Sequence, residues 1–112
     1  MSVDYTIEWS AEAVYDVAEI AEYIEERFGE ARADRFTREL QASVGKLSYM
    51  PAAFGDSGFS YRGERIQKLL FNPSIVFFSI DEPKGKIYVL RVLRHERDWQ
   101  SILGKQTAYT WD

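Results

Sequence analysis

The stretch RIQKLLF-NPS-IVFFSI-DEPKGK-IYVLRVL, residues 65–93, decides the fold. Its three runs are dominated by Ile, Val, Leu and Phe and have the length of strands. Asn72-Pro73 separates the first two, and Asp81–Lys86, with Pro83 and Gly85, separates the second two. Both separators have turn chemistry, so Arg65–Phe71, Ile75–Ile80 and Ile87–Leu93 are expected to form a three-stranded antiparallel meander. Polar residues interrupt the runs: Arg65 and Gln67 share one side of their strand, and Arg91 breaks an otherwise apolar one. That pattern predicts a sheet with one covered face and one partly open.

The cover lies upstream. Val3–Trp9 alternates apolar and polar residues, as a half-buried strand does. Ser10 has the chemistry of an N-cap, and Glu12 suits the first turn of a helix. Val14, Val17, Ala18, Ala21, Ile24 and Phe28 recur at three- and four-residue steps, which predicts an amphipathic helix over 11–28 ended by Gly29. A second helix over 30–50 carries Ala33, Phe36, Leu40, Val44, Leu47 and Met50 as its buried stripe, and Pro51 stops it. The short link makes the two helices an antiparallel hairpin that packs on the sheet.

Residues 52–64, with Gly55, Gly58 and Gly63, read as a surface loop. Glu96–Leu103 reads as a short helix ended by Gly104, and 104–112 as a tail of uncertain order. The fold class is thus α+β, with residues 1–112 as one domain: N-terminal strand, helix hairpin, meander and short C-terminal helix.

Composition narrows the chemistry. The chain has 112 residues, 46% of them hydrophobic and 15% aromatic, enough apolar material to offset the entropy of ordering. No run approaches the roughly 18 apolar residues of a membrane span, and the N-terminus lacks the features of a signal peptide. The absence of cysteine gives no sign of an oxidising compartment, so the expected location is the cytosol. With one histidine, His95, and no cysteine, ordinary zinc sites are excluded. Neither a Gly-rich phosphate loop nor a Gly-x-Ser-x-Gly elbow is present, and no cofactor is expected. Any catalysis would rest on arginines and His95.

The net charge of −4 hides a division. Residues 1–58 hold 12 acids and 5 bases, whereas residues 59–98 hold 8 bases and 5 acids. Asp16, Glu19, Glu22 and Glu26 fall three or four apart on the expected outer face of the first helix. Like charges at that spacing repel mildly, so the face is either simply solvated or suited to basic side chains of a partner.

Four strings carry a family likeness: AEIAEYIEERFG (18–29), LSYMP (47–51), IVFFSID (75–81) and VLRVLRHERDWQSIL (89–103). With the element order they resemble the RelE/ParE superfamily, the toxins of bacterial type II toxin–antitoxin modules, over residues 3–103. The resemblance implies a growth-inhibiting toxin held inactive by a cognate antitoxin, which usually wraps it with a helix or extended segment. It also implies one of two targets: ParE-like members inhibit DNA gyrase, while RelE-like members cut messenger RNA on the ribosome without a metal.

Metal-free RNA cleavage needs a base for the 2′-hydroxyl, a cation for the phosphate and an acid for the leaving oxygen. Arginine suits the phosphate and histidine the proton transfers. The resemblance places His95 at a cleavage position of the nucleases and Arg65 at one of their basic positions. Strand alternation puts Arg91 on the side of His95, so Arg65, Arg91 and His95 could line one patch. An ion pair with a helix carboxylate is the alternative for Arg91. Two groups of the nuclease pattern are missing: Ser74 stands where an arginine is common, and Ser101 where a tyrosine is. The site reads as incomplete, which, with the acidic balance, favours the gyrase-directed reading over the nuclease.

Overall fold

The computed structural model describes residues 4–51 and 55–111. Its elements run β1 (Thr6–Trp9), α1 (Ala11–Phe28), α2 (Glu30–Gly45), a 3-10 turn (Lys46–Ser48), β2 (Gly55–Tyr61), β3 (Glu64–Phe71), β4 (Ser74–Asp81), β5 (Lys86–Arg94) and α3 (Trp99–Lys105). The α+β class and the expected order of elements are present. One five-stranded sheet runs β1-β5-β4-β3-β2. Strands β2 to β5 are antiparallel neighbours, and β1 lies parallel beside β5, from Thr6 opposite Lys86 to Trp9 opposite Val89.

The start of α1 is fixed by Ser10, which is fully buried. Its Oγ accepts from the Ala13 N–H at 2.9 Å and donates to the Leu90 carbonyl at 2.7 Å, while its own N–H donates to Val89 at 3.0 Å. A capping residue thereby ties the helix to the centre of the sheet. Gly29, at φ +96°, turns the chain from α1 into α2 within a single residue, a conformation that favours glycine.

Four expectations about the bounds and faces of the elements are corrected. First, residues 55–61 are not loop but β2, an edge strand; residues 52–54 of the expected loop lie outside the described residues. Small polar residues, Gly58 at φ +89° and a register shift between Asp56 and Ser60 hide the period of two. Second, α2 ends at Gly45, and Met50 is 63% exposed rather than part of a stripe. Third, α1 is rotated relative to the expected stripe: Ala13, Asp16, Val17, Ile20 and Ile24 are buried, whereas Val14 and Phe28 are exposed. Asp16 therefore faces inward, because an ion pair repays its burial. Fourth, Gly104 lies within α3 rather than ending it.

The sheet carries a core on each face. Val76, Phe78, Val89 and Val92 pack against Ala13, Val17, Ile20 and Leu40 of the helix hairpin. On the other face, Ile66, Ile75, Phe77, Tyr88, Leu90 and Leu93 pack with Leu103 of α3, Tyr109 and Trp111. The expected partly open face is closed by α3 and the tail. Trp111 Nε1 donates to the Tyr61 hydroxyl at 3.0 Å, the Ala11 N–H donates to the Thr110 carbonyl at 2.8 Å, and Thr110 donates twice to the Glu12 carboxylate at 2.9 Å.

Candidate functional site

The residues singled out above are distributed over four places. Arg91 sits at a bulge in β5: Phe77 pairs with Arg91 but Phe78 pairs with Val89, leaving Leu90 as the extra residue. A bulge re-aims the side chain beside it. Arg91 is thereby directed to Asp16, with Nε to Oδ2 at 2.7 Å and Nη2 to Oδ1 at 2.9 Å, a bidentate pair. Its Nη1 donates to Gln106 Oε1 at 2.7 Å, and the Val92 N–H gives Asp16 a third donor at 3.0 Å.

This pair is enclosed, with side chains 18% and 5% exposed for Arg91 and Asp16. Burial pushes the Asp16 carboxyl above its ordinary value, against the pull of its three donors. Hydrogen bonding to Asp16 raises Arg91 further into its charged form. The expected alternative for Arg91, an ion pair with a helix carboxylate, is the arrangement present. Asp16 itself offers almost no surface.

Arg65 lies elsewhere. It forms an exposed ion pair with Asp56 of β2, Nη2 to Oδ2 at 2.9 Å, which at such exposure contributes little stability. It also precedes Gln67, which pairs with Phe78, whereas His95 follows Arg94, which pairs with Ser74 at the opposite end of the sheet. From Arg65 to Phe71 at that end, β3 spans roughly 20 Å at the rise of a strand. The structure therefore does not gather Arg65, Arg91 and His95 into one patch.

His95 follows β5 on an exposed turn, where its N–H donates to the Pro73 carbonyl at 3.1 Å. Ser74, in the place where nucleases carry arginine, is buried and donates to the Phe71 carbonyl at 2.8 Å. Lys68 lies 5.2 Å from the centre of the Trp99 ring on the second face. Among the described residues, no group of three or more metal-ligating side chains is brought together, and no helix is long and apolar enough to cross a membrane.

Glu19, Glu22 and Glu26 do form an exposed strip on α1. With Tyr15, Ala18 and Tyr23 they line a groove of about 450 Å³. Glu19 also stands 3.8 Å from Arg97, both of them exposed. An apolar groove of about 390 Å³, lined by Trp9, Val14, Val17, Ala18, Thr37 and Gln41, occupies the other flank of the same helix.

Two features went unread in the sequence. Gln106 and Thr110 bring the tail into contact with Arg91 and Glu12. Tyr23 is flanked by two guanidinium groups, Arg94 at 4.0 Å and Arg27 at 4.5 Å from the ring centre. The second was half visible, since Tyr23 and Arg27 stand four apart on one helix.

A family model described as the ParE toxin of the type II toxin–antitoxin system parDE matches residues 7–99. Among solved structures, the chromosomal ParDE system of P. aeruginosa aligns at TM-score 0.67 with 18% identity, covering 83% of this chain and 98% of that one. The RelBE2 toxin–antitoxin complex of Mycobacterium tuberculosis aligns at TM-score 0.48 and 19% identity, covering 84% of this chain and 94% of that one. No functionally curated protein gives a significant match.

Proposed function

From the premise that this chain belongs to the ParE toxin family of type II toxin–antitoxin systems, we propose that it inhibits DNA gyrase by binding, without catalysis, and is neutralised by a cognate antitoxin. One observation carries the non-catalytic reading: Arg91, the arginine that a nuclease would turn to phosphate, is committed on all three nitrogens to Asp16 and Gln106. To grip phosphate it would have to leave a buried carboxylate unpaired, which typically costs several kcal/mol. Arg65 and His95 stand at opposite ends of the sheet, so neither supplies the missing group beside the other. The nuclease reading would leave His95 alone to perform the proton transfers.

The exposed acidic strip of Glu19, Glu22 and Glu26, flanked by the apolar groove at Val14 and Ala18, supports an antitoxin segment that presents basic side chains and an apolar face to α1. Complementary charge of this kind acts chiefly on the association rate. Reversing Glu19 and Glu22 to Lys should slow binding of the antitoxin and flatten its salt dependence; unchanged association rates across ionic strength would remove α1 from the interface.

The target is tested in cells. The chain is induced alone, and messenger integrity and chromosome supercoiling are followed in the same culture. The expected result is loss of negative supercoiling with intact messengers, equally for the parent and for His95→Gln. Messenger cleavage that disappears in His95→Gln would establish the ribosome-dependent nuclease instead.

A further inference from the structure

At the tip of the helix hairpin, α1, α2 and the β3–β4 turn line a third groove, about 440 Å³ in volume. Its floor is apolar: Ile24 and Phe36 are buried, and the Phe36 and Phe71 rings meet at 5.9 Å with Pro73 beside them. Its rim is basic and aromatic. Phe28 is 57% exposed, and the Arg32 guanidinium lies 4.8 Å from its ring centre. Arg35 lines the same wall, and Arg27, outside the groove lining, lies 4.5 Å from the centre of the Tyr23 ring.

Among the described residues, Arg27, Arg32 and Arg35 form no ion pair, in contrast to Arg65, Arg91, Arg94 and Arg97. Arg27 and Arg32 are instead stacked on rings, which holds each guanidinium in place while leaving its N–H edge free. Arg32 and Arg35, without anionic partners on the wall of an apolar groove large enough for a bulky side chain, and Arg27 beside Tyr23 form a receptor for an anion attached to an apolar group.

We propose that this groove binds an acidic segment of a protein partner that carries a bulky aliphatic or aromatic anchor. The anchor seats on Ile24, Phe36 and Phe71, and flanking carboxylates meet Arg32, Arg35 and Arg27. The site is separate from the acidic strip and does not depend on which target the toxin has. A polyphosphate fits less well. Glu39 stands on the same wall, Glu22 and Glu26 line the groove on the other side of Tyr23, and the whole chain carries −4. A long anionic backbone would run into all three carboxylates, whereas a short acidic segment meets Glu39 alone beside the arginines.

The test uses the full chain and three fluorescent probes of equal length: a peptide of Glu and Asp around a Leu-Trp anchor, its twin with Lys for each acid, and oligothymidylate. Anisotropy is read at low and physiological salt, with amide chemical shifts to locate each contact. The acidic peptide is expected to bind more tightly than the other two, to weaken with salt and to shift Phe28, Arg32 and Phe71. Arg32→Glu with Arg35→Glu, both on the exposed surface, should weaken it at least about tenfold, whereas Glu22→Lys with Glu26→Lys should not. Phe28→Ala tests the rim without touching charge and should also weaken binding. Tighter binding of oligothymidylate, no binding of the acidic peptide, or binding indifferent to the two arginines would each overturn the proposal.

Discussion

On one side of the sheet, Val76, Phe78, Val89 and Val92 meet two long helices; on the other, Phe77, Tyr88, Leu90 and Leu93 meet a helix of 7 residues and the aromatic tail. The helix side depends on a buried ion pair, Asp16 with Arg91, to satisfy its one charged position. The tail side depends on stacked rings: Tyr61 and Tyr109 lie 5.2 Å apart, and Tyr88 and Trp111 5.1 Å apart, both nearly edge to face. The two meet at Gln106, which belongs to the tail yet binds the arginine of the pair. Arg91 is therefore the joint between the halves of the molecule, and turning it to a substrate would first break that joint.

If Arg91 is a joint, cutting it should produce the largest effect. Asp16→Ala leaves the guanidinium without its buried partner and should cost about 3–5 kcal/mol in chemical denaturation. The paired replacement Asp16→Leu with Arg91→Met should recover most of that loss, since a well-packed apolar pair often replaces a buried ion pair at little cost. A large loss in the double variant as well would mean that the bulge itself requires the arginine. One consequence bears on function: Arg91→Ala will destabilise the chain whatever its mechanism, so its effect on toxicity identifies no nuclease. The exposed His95 is the informative position.

Ending the chain after Lys105 should cost less, roughly 2–4 kcal/mol, from the partly buried Tyr109 and Trp111. It should also open the second face while leaving the hairpin helices intact, as amide exchange would show. Acid should loosen the same strap more gently. The Thr110 N–H and hydroxyl hold the Glu12 carboxyl below its ordinary value. That contribution is complete above the usual glutamate pKa and is lost as pH falls through the lower folded value. Protection of the Thr110 amide, relative to its intrinsic exchange rate, should therefore fall as the pH drops below the usual glutamate range, ahead of protection in β4.

The smallest effect concerns Tyr109. Its hydroxyl is buried with no hydrogen-bond partner among the described residues, and burial pushes its pKa up to about 12. Tyr109→Phe removes an unsatisfied group and should be neutral or stabilise the chain by up to about 1 kcal/mol. A clear loss would show that the hydroxyl has a partner.

The helix side was largely legible in the sequence. Ser10 and Gly29 bracket α1 at the expected residues, and the three strands after residue 64 depart by a residue or two at their ends. These features are local, set by capping, turns and periodicity. The inward turn of Asp16 was not legible, because its partner is 75 residues away and the bulge that aims Arg91 leaves no mark in an apolar run. Nor was β2, whose small residues around Gly58 resemble a loop until β3 pairs with them. The second face failed for a similar reason: ring packing between Tyr61, Tyr88, Tyr109 and Trp111 has no period to read. Of the candidate residues, Glu19, Glu22 and Glu26 share an exposed strip of α1, while the expected trio of Arg65, Arg91 and His95 does not converge.

The proposed mode of action is binding to gyrase rather than cutting of RNA. It is tested most directly with the purified chain in two parallel reactions, one with DNA gyrase and relaxed plasmid, the other with translating ribosomes and a defined messenger. The expected result is blocked supercoiling, equally by the parent and by His95→Gln, with the messenger left whole. Uninhibited gyrase beside a messenger cut on the ribosome by the parent, and spared by His95→Gln, would contradict it.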